Sequence, residues 1–150
     1  LFSGTVAENI RLGSPFAEEE VEKAARVVHA HPFVSKLEGG YQADLSEGAA
    51  NISTGQRQLL SFARVVAHDP AIVILDEATS SVDTETEKLV QKGLAELLKG
   101  RTSVVIAHRL STIRHAHRIL VLAGGRLVEE GDHGSLMARE GVYANLFRLQ

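Results

Sequence analysis

Five apolar residues, Ala71-Ile72-Val73-Ile74-Leu75, run without a break into two adjacent carboxylates, Asp76 and Glu77. A short continuous apolar run suits a strand buried on both faces. Thr102 to Ala107 repeats the texture and leads into His108-Arg109. Between the two, Leu89, Val90, Leu94, Leu97 and Leu98 recur at helical spacing. Thr84 with Glu87 reads as a capping box, and Gly100 as a stop. Strand, helix and strand in that order imply parallel pairing and an α/β layer. In open α/β sheets, ligands bind at the C-terminal ends of the strands. Asp76 is therefore a candidate to hold Mg²⁺ through coordinated water, and Glu77 to orient or deprotonate an attacking water in phosphoryl transfer. The plainer alternative is a solvated strand end whose acids cap the next turn.

The rest of the chain divides by texture. Residues 1–68 read as a helical part with a connecting loop, and residues 69–150 as the α/β part, with the boundary near 69. Val21, Ala24, Ala25 and Val28 lie at helical spacing behind Glu18, Glu19 and Glu20, which suit a helix N-terminus. A glycine-bearing loop from Glu38 to Asn51 precedes a second stripe, Leu59, Leu60, Ala63, Val66 and Ala67. Ile119 to Ala123 and Arg126 to Glu130 flank Gly124-Gly125, a hairpin signal. Two short helices are expected to close the chain.

Composition excludes several classes. The chain has 150 residues and a formal charge of −3, so no bulk basic field points to nucleic acid. It has no cysteine, which rules out disulfides and thiolate metal sites. Apolar runs reach about five residues, against roughly 18 or more for a membrane-spanning helix. The first residue is Leu1 rather than Met, so the chain is expected to begin inside a longer protein.

Two further elements carry candidate chemistry. Ile52-Ser53-Thr54-Gly55-Gln56-Arg57-Gln58 precedes the 59–67 stripe. A helix starting there offers free N–H groups and partial positive charge to a phosphate. Gly55 lets the backbone approach closely, and Ser53 adds a hydroxyl. An ordinary N-cap by Ser53 or Thr54 explains the same residues. His108, at a strand exit, could bond a terminal phosphate or the attacking water. The pairs His29/His31 and His115/His117 are spaced by two and would not share a helix face, so metal binding is not expected of them.

Taken in order, these elements resemble the nucleotide-binding domain of ABC transporters, a partial P-loop NTPase-like α/β fold. Ile52-Ser53-Thr54-Gly55-Gln56 resembles the LSGGQ signature, Ile74-Leu75-Asp76-Glu77 resembles Walker B, and Ser80-Ser81-Val82-Asp83 resembles the D-loop. His108 matches the switch histidine. Leu1 to Ile10 is similar to the segment after the Q-loop. Asp44 to Gly48, with Glu47, is similar to the exporter loop that touches the coupling helices. Gly131-Asp132-His133 resembles the usual end of such domains. Ala78, where importers usually carry Pro, and Gln56-Arg57-Gln58-Leu59-Leu60 point to exporters whose membrane and ATPase domains share one chain.

The resemblance implies an ATPase with ATP and Mg²⁺ as cofactors. Asp76 would support Mg²⁺, Glu77 would polarise the attacking water, and His108 would contact the γ-phosphate. Ser53, Thr54, Gly55 and Gln56 would meet ATP held by an opposing domain. Ser81 and Asp83 would line the dimer interface. The implied partners are a second ABC ATPase domain, identical or different, and the transporter's own membrane domain through the Asp44–Gly48 loop. No nucleic-acid partner is implied. The implied location is the cytoplasmic face of the membrane.

Two residues depart from the family pattern. Ile52 stands for Leu and Thr54 for Gly, and a β-branched residue at position 54 would be strained if φ were positive there. No G-x-x-x-x-G-K-[ST] occurs, nor a Q-loop glutamine or aromatic A-loop; all three are expected upstream of Leu1. Without that loop the 150 residues alone are not expected to hydrolyse ATP. Two other functions fit parts of the pattern. One is a soluble ABC ATPase acting on nucleic acid or ribosomes. The other is a non-catalytic half of a heterodimer, against which the presence of both Glu77 and His108 argues.

Overall fold

The structure, a computed structural model, describes residues 1–77, 84–107 and 113–149. Six strands and seven α-helices are described: β1 (Gly4–Thr5), α1 (Val6–Arg11), α2 (Glu18–Val27), α3 (His31–Val34), β2 (Asp44–Leu45), α4 (Thr54–His68), β3 (Ile72–Glu77), α5 (Thr84–Leu98), β4 (Thr102–Ala107), β5 (Ile119–Ala123), β6 (Arg126–Gly131), α6 (His133–Ala138) and α7 (Val142–Arg148). The strands pair as β1-β2, β3-β4 and β5-β6. The α/β character expected from the sequence is present. Among the described residues, 1–74 and 84–104 make one compact unit, and 75–77, 105–107 and 113–149 make another.

In the first unit, α4 packs against α1, α2 and α5. The stripe of α2 is buried as expected, with Val21, Ala24, Ala25 and Val28 all in the core. From α4, Leu59, Leu60, Phe62 and Ala63 join it, while Val66 and Ala67 are half-buried. From α5, Val90, Leu94 and Leu97 face inward, but Leu89 turns out to solvent. The α4–α5 crossing is close because residue 93 is glycine. A Cβ there would sit 2.8 Å from the carbonyl oxygen of Val28 and 3.0 Å from Leu59 Cδ2. The expected Thr84–Glu87 box involves a Thr84 side chain outside the described residues.

The start of β4 is tied to the start of β3 by a hydrogen bond from Thr102 N to Ala71 O at 3.2 Å. Arg101 also donates to Asp69 Oδ1 at 2.6 Å, so the residues leading into both strands are paired. Neighbouring strands that begin side by side run the same way, as the strand–helix–strand order implied. One expectation fails here. β3 is not buried on both faces: Val73 is in the core, but Ile72 and Ile74 are 63% and 71% exposed. Val104 and Ile106 of β4 are also exposed. Among the described residues no element covers that second face. An unbroken apolar run does not reveal whether both sides have a cover.

In the second unit, β5 and β6 form the expected antiparallel hairpin, with Ala123 opposite Arg126 and a register irregularity at Val121/Leu122. Gly124 and Gly125 have φ of 56° and 73°, the positive values a two-residue type I′ turn needs at both positions. Ile119 and Val121 pack on Leu136 of α6 and Tyr143 of α7. Glu129 caps α7, accepting from the backbone N–H groups of Val142 and Tyr143, both at 2.8 Å.

Candidate functional site

Ser53 is the N-cap of α4 and makes a full capping box. Its Oγ accepts from Gln56 N at 3.2 Å, and Gln56 Oε1 accepts from Ser53 N at 2.9 Å. The plain N-cap role is thus real. It leaves the hydroxyl free for a further contact, because a hydroxyl that accepts one bond keeps its own proton to donate. Ser53 is exposed, Thr54 and Gln56 are half-buried, and Gly55 is buried. Thr54 is the first residue of the helix and is absent from the positive-φ residues. Its branched side chain therefore carries no backbone strain, and the strain considered for a threonine at this position does not arise.

Residues 44–51 form a second ordered feature. β2 pairs with β1, setting Asp44 opposite Thr5 and Leu45 opposite Gly4. Leu45 is buried, whereas Asp44, Ser46, Glu47 and Gly48 are exposed. The Asn51 amide holds the loop from within. It accepts from Ser46 N at 3.1 Å and donates to Asp44 O at 3.0 Å. Gly48 has φ of 65°, which lets the chain turn sharply there. Glu47 is thereby presented to solvent on a braced loop.

Asp76 and Glu77 end β3, and Ala107 ends β4 at the same edge of the pair. Asp76 is exposed there. Its carboxylate offers hard oxygen donors to solvent at a strand end, a donor chemistry that fits Mg²⁺. The Glu77 side chain, Ser81, Asp83 and His108 lie outside the described residues.

Sequence reasoning missed two organising residues. Among the described residues, Asn9 is the one buried polar residue in the core of the first unit, and Arg57 is bonded to three acceptors. Asn9 follows Thr5-x-x-Glu8, a capping box that the structure confirms at the start of α1. That pattern was readable; the burial of the next residue was not. Elsewhere in this unit, Tyr41 Oη and His31 Nδ1 lie 2.9 Å apart. Burial pushes the Tyr41 hydroxyl up to about 12, with the nearby Glu22 carboxylate adding to the effect.

The helix-capped turn, the braced loop and the strand pair with acids at one edge are the parts of an ABC ATPase domain. A family model described as "ABC transporter" matches residues 2–80. The chain belongs to the ABC transporter family. Over its whole length it is 57% identical to an uncharacterised ABC transporter ATP-binding protein, YknV, of Bacillus subtilis. It is 52% identical to YheH of the same organism, a probable multidrug resistance ABC transporter ATP-binding/permease protein. It spans about a quarter of the length of these curated relatives, 25% and 22% respectively. Among solved structures it resembles a bacterial Atm1-family ABC exporter with ATP bound. That match has 37% identity and a TM-score of 0.88, covering 100% of this chain and 26% of the other.

Proposed function

We propose that the full-length protein is an ABC exporter and that this chain supplies the signature and Walker B portion of its ATP-hydrolysing domain. The observation that carries the reading is the family match together with Asp76 and Glu77 closing a strand at an edge shared with β4. Relatives named as ATP-binding/permease and multidrug export proteins favour an exporter with a fused membrane domain over a soluble ATPase acting on nucleic acid or ribosomes.

In this reading Asp76 holds Mg²⁺, which when bound neutralises charge on the terminal phosphates. Glu77 orients the attacking water and takes up its proton. His108 contacts the γ-phosphate. Ser53, Gly55 and the free N–H groups of the first turn of α4 meet the γ-phosphate of ATP carried by a second domain, with Thr54 and Gln56 shaping that turn. Ser81 and Asp83 line the seam between the two domains. The exposed Asp44–Gly48 loop, with Glu47, meets the membrane domain at the cytoplasmic face of the membrane.

The test is Glu77→Gln in the full-length protein. ATP hydrolysis is expected to fall about 10²- to 10⁴-fold, the usual loss of a catalytic base, while ATP binding persists. Turnover at the unsubstituted rate would remove Glu77 from this role.

A further inference from the structure

Three bonds from one guanidinium converge on the turn that opens α4. Arg57 Nη1 donates to the carbonyl oxygens of Ile52 at 2.9 Å and Ala49 at 3.2 Å. Arg57 Nη2 donates to Thr54 Oγ1 at 2.8 Å. Ala49 and Ile52 are buried, and Ala49 has φ of 52°, so the chain entering the turn takes a conformation that needs outside support. A planar fork with fixed donors can join these three acceptors; an ammonium group cannot match the geometry. Position 54 is also where this chain departs from the glycine of the LSGGQ pattern. With glycine there, the third bond has no acceptor.

We infer that Arg57 is a positioning residue for the signature turn and that Thr54 is its anchor. The Thr54 hydroxyl fixes the guanidinium, and the guanidinium holds residues 49–52 against the helix start. The Ser53 hydroxyl and the first-turn N–H groups are then set in place before a ligand arrives. Preorganised donors do not have to reorganise when the anion binds, so they act on affinity. This rests on the reading of residues 53–56 as a contact for the terminal phosphate of ATP.

The experiment measures steady-state ATP hydrolysis by the purified full-length protein across ATP concentrations. The variants are Thr54→Val, which keeps the shape and loses the acceptor, Thr54→Ser, Arg57→Lys, the Thr54→Val/Arg57→Lys double, and Ser53→Ala as reference. Thr54→Val and Arg57→Lys are each expected to raise KM for ATP about 5- to 10-fold, the net scale of a single intramolecular hydrogen bond. The double variant should be no worse than Arg57→Lys alone, because that change already removes the donor that Thr54→Val leaves without an acceptor. Thr54→Ser should regain most of what Thr54→Val loses. An unchanged KM in Thr54→Val would overturn the inference, as would effects that multiply in the double variant. So would a fall in kcat alone, the pattern of a smaller folded fraction. Ser53→Ala separates the two levels. If it is impaired while Thr54→Val is not, only the Arg57–Thr54 role falls; if it matches the unsubstituted protein, the phosphate-contact reading falls too.

Discussion

Arg64 Nε donates to the main-chain carbonyl of Asn9 at 2.7 Å, joining residues 55 positions apart. Asn9 is fully buried, and its amide is committed on every side. It accepts from Phe2 N at 3.0 Å and donates to Phe2 O at 2.9 Å and Thr5 O at 3.1 Å. Arg64 also lies over the Phe2 ring, 5.0 Å from its centroid. The first residues are thus fastened to α4, the helix that begins with the signature turn.

Asn9→Ala is therefore expected to destabilise the first unit by about 1–3 kcal/mol, the cost of leaving buried polar groups without partners. Hydrogen exchange should quicken in residues 1–11 and along α4, with α7 unaffected. Unchanged exchange in those segments would show that Asn9 is not the fastening.

Gly93→Ala sets two effects against each other. Alanine gains up to about 1 kcal/mol in helix propensity. Overpacking typically costs about 1–3 kcal/mol, and the obstacle at 2.8 Å is the backbone oxygen of Val28, which cannot swing aside. The expected sign is destabilising, read as a lowered midpoint in chemical denaturation. A raised midpoint would mean that α5 moves freely away from the Val28 carbonyl at the end of α2.

Tyr41 should make stability fall at alkaline pH. Its hydroxyl is raised from 10.0 to about 12 by burial, so the folded chain holds that proton more tightly than the unfolded chain does. The contribution is complete below about pH 10 and is lost as pH rises toward 12. Tyrosinate absorbance should show late ionisation of this residue, and Tyr41→Phe should flatten the alkaline decline. An ordinary titration near 10 would contradict the burial argument.

Asp132 makes the opposite prediction in acid. It caps α6, accepting from Ser135 N at 2.9 Å, and that bond is the first cause holding its carboxyl below the usual range. The cap is intact above the ordinary carboxylate value and is lost as pH falls through the depressed one. Amide signals of Gly134 and Ser135 should shift together at that lower pH, and Asp132→Ala should abolish the shift.

Several features were legible because they are local. The hairpin rests on two glycines with positive φ, and α4 starts where Ser53 and Gln56 can cap each other. The strand ending in Asp76 and Glu77 announces itself by its apolar run. Other features were hidden because they depend on distant chain. Nothing near Asn9 in the sequence tells of Arg64. Leu89 shares the helical stripe of α5 yet faces solvent, since periodicity fixes a face only to within about one residue. Among the described residues nothing covers the apolar outward side of β3, because cover comes from neighbours that the run itself does not encode.

That outward side has a practical meaning. Among the described residues Ile72, Ile74 and Val104 offer oily knobs on an open ribbon of two strands, a surface expected to take up dyes, detergents and other polypeptides without discrimination. Bench work on this stretch alone would meet stickiness first, and pull-down results with it would need a competitor before any captured protein could be believed.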